Sequence, residues 1–256
     1  MIMAHCRPVT CAAVKSSSNG WKTRSEPGSK RQASSFKLQA SSALKKTQSW
    51  IKMKLESMKV KEAVKITGSM TRTSKMPGLS YSLPAWACQT GSKLRKVPGT
   101  PCFNCYALKG NYIRYPDIKK AQYYRLASLV HDSWVTAMVA QIKRQKWFRW
   151  HDAGDLQSAT HLTKIFEVCR QTPNTKHWLP TQERKYLPLP GSSIPDNLVI
   201  RLSGSKIDGP EPTCWPHTST VVTKDASCPA PSQGGKCKEC RMCLNKNISN
   251  VSYGKH

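Results

Sequence analysis

Short runs of apolar and β-favouring residues, each followed by a polar loop, predict five strands. They lie at 79–83, 148–151, 177–181, 197–202 and 219–223. Between the second and third runs, Leu162, Ile165, Phe166 and Cys169 follow Ser158 at helical spacing. Strands that alternate with a helix and polar loops are typical of parallel β/α units.

Two further helices are predicted between the first and second strands. One covers 117–130, with Asp117 as its cap and Pro116 before it. The other begins at Asp132 as its N-cap and carries an apolar stripe at i, i+4 and i+8. The stripe consists of Trp134, Val135, Met138, Val139 and Ile142.

The predicted fold class is therefore α/β, with a parallel (β/α) barrel-like domain. Because only five strands are visible, a partial or distorted barrel is as consistent with the pattern as a closed one. We predict a disordered basic segment or a mis-assigned start over 1–58. The barrel-like domain then covers 59–225, and a Cys-rich metal-binding segment covers 226–256.

Charge is the strongest feature of the composition. The chain has 41 basic and 14 acidic residues, a net charge of +27. Residues 1–54 contain eleven basic residues and one acid, Glu26, but the rest of the chain is also strongly basic. This excess favours a polyanionic partner, and we expect nucleic acid or a nucleotide.

Hydrophobic residues make up 38% of the chain, and no run approaches the roughly 18 consecutive apolar residues of a membrane span. We therefore expect a soluble protein without membrane contact. Eleven cysteines with CxxC spacing in a chain of this size indicate metal binding in a reducing compartment rather than disulfides. This favours the cytoplasm.

Four cysteines near the C-terminus follow the spacing C-x8-C-x2-C-x2-C. They are Cys228, Cys237, Cys240 and Cys243, and His256 follows as a further candidate ligand. Close thiolates in a polar segment suit a structural zinc ion, and four thiolates suit an iron–sulfur cluster equally well. A metal would supply the organisation that a segment with little apolar content lacks.

A second cysteine group lies at Cys88, Cys102 and Cys105, just after the first predicted strand. Three protein ligands leave one coordination position free for a substrate or cofactor, as in catalytic zinc sites and in site-differentiated iron–sulfur clusters. The alternative is that these three cysteines share structural sites with the C-terminal four.

Polar residues follow the predicted strands, where parallel β/α folds gather their chemistry. The catalytic candidates are His151, Asp152 and Asp155. The candidates for substrate binding are Gln157, Glu183, Arg184, Ser203 and Lys224. Asp155 is equally well explained as the N-cap of the next helix, and Arg184 as part of an exposed charged loop. Arg201, inside a strand, is either on a solvated face or buried and paired.

Several motifs occur in a fixed order: SLPAWAC, TPCFNCYALKGNY, FRWHDAGDLQS and a terminal Cys-rich stretch that ends Tyr-x2-His. Together they resemble the phage gene product 88 family over about residues 79–256. For a phage-encoded protein, the expected location is the cytoplasm of a bacterial host.

The cysteine loop that ends Cys-x2-Cys-Tyr-Ala also resembles that of radical S-adenosylmethionine (radical SAM) proteins. This resemblance implies a [4Fe–4S] cluster on Cys88, Cys102 and Cys105, with S-adenosylmethionine on the open iron. The gap of 13 residues between the first two cysteines differs from the usual C-x3-C-x2-C pattern.

The stretch Asp152-Ala153-Gly154-Asp155-Leu156-Gln157 is similar to the catalytic motif of tRNA-guanine transglycosylases, which implies a catalytic role for Asp152. Three hypotheses follow: a radical SAM-like iron–sulfur enzyme acting on nucleic acid or a nucleotide, a transglycosylase-like base exchange on DNA or RNA, and a non-catalytic, zinc-stapled nucleic-acid-binding protein. We rank the first highest, so an enzyme is favoured.

Overall fold

The structure is a computed structural model that describes residues 58–189 and 191–255. Residues 55–256 form one compact unit. The predicted disordered basic segment at 1–58 lies outside the described residues, apart from Met58.

One sheet of seven strands organises this unit, and the strands lie side by side in chain order. The antiparallel pair β1–β2 is at one edge, and every other neighbouring pair is parallel. The strands are β1 (Thr71–Arg72), β2 (Leu79–Tyr81), β3 (Trp147–Trp150), β4 (Lys176–Thr181), β5 (Leu198–Ile207), β6 (Thr218–Val222) and β7 (Asn250–Gly254).

The α-helices described all precede β4. They are α1 (Val60–Thr67), α2 (Gln89–Leu94), α3 (Asn111–Arg114), α4 (Pro116–Ser128), α5 (Trp134–Ile142) and α6 (Ala159–Gln171). Helices α2 to α5 connect β2 to β3, and α6 connects β3 to β4. The described parts of the later connections contain only short 3₁₀ turns.

The predicted α/β class with mostly parallel strands is confirmed. The predicted barrel is not, because no pairing between β1 and β7 occurs among the described strands. The sheet therefore has two edges in the part of the chain that the structure describes.

One face of the sheet is covered by helices. Every second residue of the central strands points to this face, including Phe148 and Trp150 of β3 and Leu179 of β4, which are fully buried. They pack with Trp134 of α5 and Ile165 of α6. The apolar periodicity of α5 and α6 arises from this packing.

The opposite face is covered by the Cys-rich stretch rather than by a helix. Trp178 of β4 packs there with Met76 and Leu244, and its ring stacks on that of Tyr253 at 6.4 Å. Tyr253 belongs to β7, so the stretch 226–256 supplies a strand of the sheet as well as its cover.

The strand predictions are correct in place, although β5 runs to Ile207. Helix α4 begins at Pro116 and ends at Ser128, close to the predicted 117–130. The cap predictions at Asp117 and Asp132 are wrong, because α4 is preceded by Tyr115 and α5 by Ser133. Each described helix falls short of the length and apolar content that crossing a bilayer requires.

Candidate functional site

The three-cysteine group lies in the loop that follows β2, at the C-terminal ends of the parallel strands. Cys88 is the residue before α2, and Cys105 precedes the 3₁₀ helix Tyr106–Leu108. His151 and Asp152 follow the end of β3, and Glu183 follows the end of β4. The fold therefore brings the cysteine loop and the predicted catalytic turn to the same end of the sheet, where the parallel strands terminate.

Gly91 holds Cys88 and Cys102 close together. A Cβ atom at Gly91 would lie 3.7 Å from the Sγ atoms of both cysteines and 3.0 Å from the Cβ of Cys88. A larger residue would enter the space between the two thiols. The glycine thus leaves a small cradle beside both sulfur atoms.

Burial and neighbouring negative groups raise the pKa of Cys88 and the pKa of Cys102. Burial raises the pKa of Cys88 most, and the charges of Asp155, Cys105 and Cys102 raise it further. Burial and Cys105 raise the pKa of Cys102 to about 11. A bound cation reverses this effect, since metal coordination deprotonates a thiol outright. The donor set and its negative surroundings therefore fit a metal ion or cluster.

The sulfur atoms do not converge on one point. Within residues 58–189 and 191–255, no three Cys, His, Asp or Glu side chains are arranged to hold a metal ion. The assignment of Cys88, Cys102 and Cys105 as ligands stays a prediction.

Glu183 fixes the cysteine loop to the end of β4. Its Oε1 accepts hydrogen bonds from the backbone N–H groups of Gln89 (3.0 Å) and Thr90 (2.7 Å), and its Oε2 accepts one from the Thr90 hydroxyl (2.7 Å). The side chain is fully buried. This carboxylate satisfies backbone donors in the first turn of α2, a positioning function beside the predicted substrate-binding one.

Asp155 joins the ends of β3 and β4. It accepts hydrogen bonds from the Thr181 hydroxyl (2.6 Å) and from the N–H groups of Gln182 (2.8 Å) and Leu156 (2.7 Å). Burial raises its pKa to about 7 although these hydrogen bonds lower it. Its carboxylate therefore titrates close to neutrality.

The N-cap of α6 is Ser158, whose hydroxyl accepts a hydrogen bond from the His161 N–H at 3.0 Å. The alternative reading of Asp155 as the N-cap is therefore wrong. Gln157 lies between them and donates to the Asp155 carbonyl at 2.7 Å.

Asp152 lies in a polar network that sequence reasoning did not find. Its carboxylate accepts hydrogen bonds from Ser80 (2.6 Å) and Tyr112 (3.0 Å), and its carbonyl accepts one from the Tyr106 hydroxyl. Arg149 faces the same group. Burial lowers the pKa of Arg149, but the charges of Tyr106 and Asp152 raise it more.

His151 has different neighbours from Asp152. Its ring lies 5.2 Å from that of His161 and is 3% exposed, and neither ring nitrogen has a hydrogen-bond partner among residues 58–189 and 191–255. Its backbone is left-handed, with φ of 56°. Burial lowers its pKa well below the ordinary value, so the ring is neutral. Strain and unpaired polar atoms in one residue are common at functional sites.

The other predicted substrate-binding residues do not meet at this turn. Arg184 is exposed in the 3₁₀ helix Arg184–Tyr186, and Lys224 is exposed after β6. The Ser203 hydroxyl lies 3.2 Å from that of Ser219 on the next strand. The substrate-binding roles of Arg184, Ser203 and Lys224 stay predictions.

Gly154 is expected to be sensitive to substitution, because its φ is +79° and an added Cβ would lie 2.6 Å from the Leu83 Cβ. We expect Gly154→Ala to lower the free energy of unfolding by about 2–4 kcal/mol, from backbone strain and overpacking together. Gly99→Ala is the control, with φ of +77° and no atom within 4 Å of the new Cβ. Equal losses of stability in urea unfolding would show that the contact with Leu83 contributes nothing.

The four C-terminal cysteines line a cavity of about 20 Å³. Burial raises the pKa of Cys237. The nearby thiols of Cys228 and Cys240 raise this pKa further. Burial raises the pKa of Cys243 to about 11, and its Sγ lies 3.0 Å from the Tyr253 hydroxyl. The four thiols therefore line one small cavity, and the assignment of Cys228, Cys237, Cys240 and Cys243 as metal ligands stays a prediction. The predicted ligand His256 lies outside the described residues.

The two cysteine groups are separate in the described structure. The cavity lined by the C-terminal four includes none of the loop cysteines. The pKa of Cys88 and that of Cys102 are raised by neighbouring loop thiols, whereas the pKa of Cys237 and that of Cys243 are raised by Cys228. This arrangement favours two sites over sites shared between the groups.

Arg201 holds the C-terminal group in place. Its fully buried guanidinium donates to the carbonyl oxygens of six residues at 2.9–3.1 Å. They are Thr218, Met242, Cys243, Asn245, Ile248 and Ser249. Of the two sequence alternatives for Arg201, buried and paired is correct. A charged residue within an apolar strand was the available signal, and Arg149 carries the same one.

A sequence model of the family described as Gene product 88 matches residues 43–246. The match starts upstream of the predicted range, which begins at about residue 79, and it ends before the C-terminal residues of that range. Comparison with curated proteins and with solved structures gives no significant match. Since the matched residues cover most of the chain, the protein belongs to the gene product 88 family.

Proposed function

We propose that the protein is a radical SAM-like metalloenzyme that acts on nucleic acid or a nucleotide. An iron–sulfur cluster would bind to Cys88, Cys102 and Cys105, and zinc to the four C-terminal cysteines. The observation that carries the proposal is the position of the three thiols. They follow the first parallel strand, at the C-terminal ends of the parallel strands.

Three thiolates leave one metal position for a small-molecule ligand. When bound, such a cluster would supply one electron to the sulfonium of S-adenosylmethionine. The parallel sheet in chain order supports this assignment, because it places the loops after β2, β3 and β4 side by side.

The chain's own residues would position these groups. Glu183 holds the first turn of α2, which begins beside Cys88, and Asp155 fixes the turn after β3 to β4. Both carboxylates also lie close enough to raise the pKa of Cys88. They would therefore tune the charge of a bound cluster as well as its place.

His151 is the candidate for proton transfer. It is buried, burial lowers its pKa, and the neutral ring has one unprotonated nitrogen that no described residue bonds. Asp152 would fix the orientation of the turn after β3, because its carboxylate accepts hydrogen bonds from Ser80 and Tyr112.

The test uses full-length protein purified and reconstituted with iron and sulfide without oxygen. Under reducing conditions it should convert S-adenosylmethionine to methionine and 5′-deoxyadenosine in equal amounts. Protein that incorporates iron and sulfide but forms neither product would overturn the radical chemistry.

A transglycosylase-like reaction is the second candidate. It is favoured by the position of Asp152 in the turn after β3, although both carboxylate oxygens already accept hydrogen bonds. In this case Asp152→Asn should abolish guanine or deazaguanine exchange on DNA or RNA and leave metal content unchanged.

The third candidate is a non-catalytic, zinc-stapled nucleic-acid-binding protein. It is favoured by the basic charge of the chain and by the cysteine-lined cavity. It predicts that salt-dependent binding persists when His151, Asp152 and Asp155 are replaced together.

A further inference from the structure

The elements that carry the three loop cysteines expose aromatic rings to solvent. Large aromatic side chains are usually buried, because each removes a large area from water. Four of them are about half exposed between the end of β2 and the start of α4. They are Trp86, Phe103, Tyr106 and Tyr115.

The same stretch is basic. Residues 84–116 contain five Lys or Arg residues and no Asp or Glu: Lys93, Arg95, Lys96, Lys109 and Arg114. The Arg95 guanidinium lies 5.2 Å from the centre of the Trp86 ring, so charge and aromatic surface are adjacent. Glu183, the acid bonded to this stretch, is fully buried and does not offset the surface charge.

These side chains belong to elements that contact one another. The 3₁₀ helix Ala85–Ala87 contacts α2 and the 3₁₀ helix Tyr106–Leu108, which in turn contacts α3. The Tyr106 hydroxyl donates to the Asp152 carbonyl, so its ring is held in place while half of it remains exposed. We call the exposed aromatic and basic side chains of residues 86–115 the aromatic–basic surface.

We propose that the aromatic–basic surface binds single-stranded nucleic acid. Bases would stack on Trp86, Phe103 and Tyr115, and the lysine and arginine side chains would contact phosphates. A duplex hides the faces of its bases, so only unpaired bases can use exposed rings in this way. The inference rests on the proposed function in one respect: the bound strand would be the substrate presented to the cysteine loop.

The experiment measures anisotropy of a labelled oligothymidine of about 20 nucleotides titrated with the full chain. We expect binding that weakens steeply between about 50 and 200 mM salt. Removing the rings in Trp86→Ala/Phe103→Ala should weaken binding at least about tenfold. Lys93→Glu/Lys96→Glu should weaken it too and flatten its dependence on salt.

Matched controls separate the surface from overall charge and from aromatic content. Lys143→Glu/Lys176→Glu makes the same charge change at two exposed positions, one just after α5 and one at the first residue of β4, at the opposite end of the strands. Tyr123→Ala removes an exposed ring from α4. Both controls should bind like the unmodified protein.

Three results would overturn the inference: equal binding of duplex and single strand, equal effects of the surface variants and the controls, or binding only to anionic vesicles or polyglutamate. Iron content and S-adenosylmethionine cleavage are measured on the same preparation. Iron-free, inactive protein that still binds the strand through these residues supports the inference while the proposed function fails. Active protein that ignores the strand overturns the inference alone.

Discussion

Arg201→Ala is expected to lower the free energy of unfolding by about 3–5 kcal/mol. The guanidinium is fully buried and donates to six backbone carbonyls, four of them within 242–248. Truncation would leave these acceptors without donors, and each buried unsatisfied group costs about 1–3 kcal/mol before water enters. Arg201→Lys should recover only part of the loss, because an ammonium cannot reproduce a planar guanidinium.

The measurement is urea unfolding of the full chain followed by tryptophan fluorescence. Arg170→Ala is the matched control, since Arg170 pairs with Glu167 at 3.5 Å and both side chains are about half exposed. We expect that control to change stability by less than about 1 kcal/mol. If Arg201→Ala were as mild as Arg170→Ala, the carbonyl contacts would not hold the Cys-rich stretch on the sheet.

Cys102→Ala is expected to abolish iron binding while leaving the C-terminal metal in place. Removing one of three thiolates leaves too few ligands for a cluster with an open position. Iron and sulfide analysis and the broad absorbance at about 400 nm provide the readout. Cys169→Ala controls for the loss of a thiol, because Cys169 is buried in the helix-side core.

Cys240→Ala completes the test. It should remove zinc and leave the iron and the absorbance unchanged, because the two cysteine groups occupy separate places in the described structure. Loss of both metals in either variant would mean that the groups share ligands. Zinc alone in every preparation, without a chromophore, would remove the cluster from the proposal.

The strands and the long helices were predictable because their apolar spacing directly reflects burial. β3 to β6 and α6 lie close to the predicted ranges, and all of them except β6 have one face in the core that packs against the helices. The edge strands were missed for a physical reason. β1 has two residues, and β7 has one buried residue, Val251, flanked by Asn250 and Ser252.

The site was only partly predictable. The sequence indicated which residues follow the strands, but their orientations come from tertiary contacts. Glu183 points back to α2, and His151 turns to His161 while Asp152 turns to Tyr112. The hydrogen bond of Tyr106 and the neighbours of Arg149 became visible only when strands and loops distant in sequence were brought together.

The strand order has a consequence for how the protein is assembled. Because neighbours in the sheet are also neighbours along the chain, each strand can pair with the one synthesised just before it. The sheet can therefore grow from one edge during translation, without waiting for a distant partner. The face that carries Trp178 and Arg201 is covered only when 226–254 has emerged. A ribosome that pauses before this point would hold a nascent chain with an open edge and an uncovered apolar face, the state most in need of a chaperone.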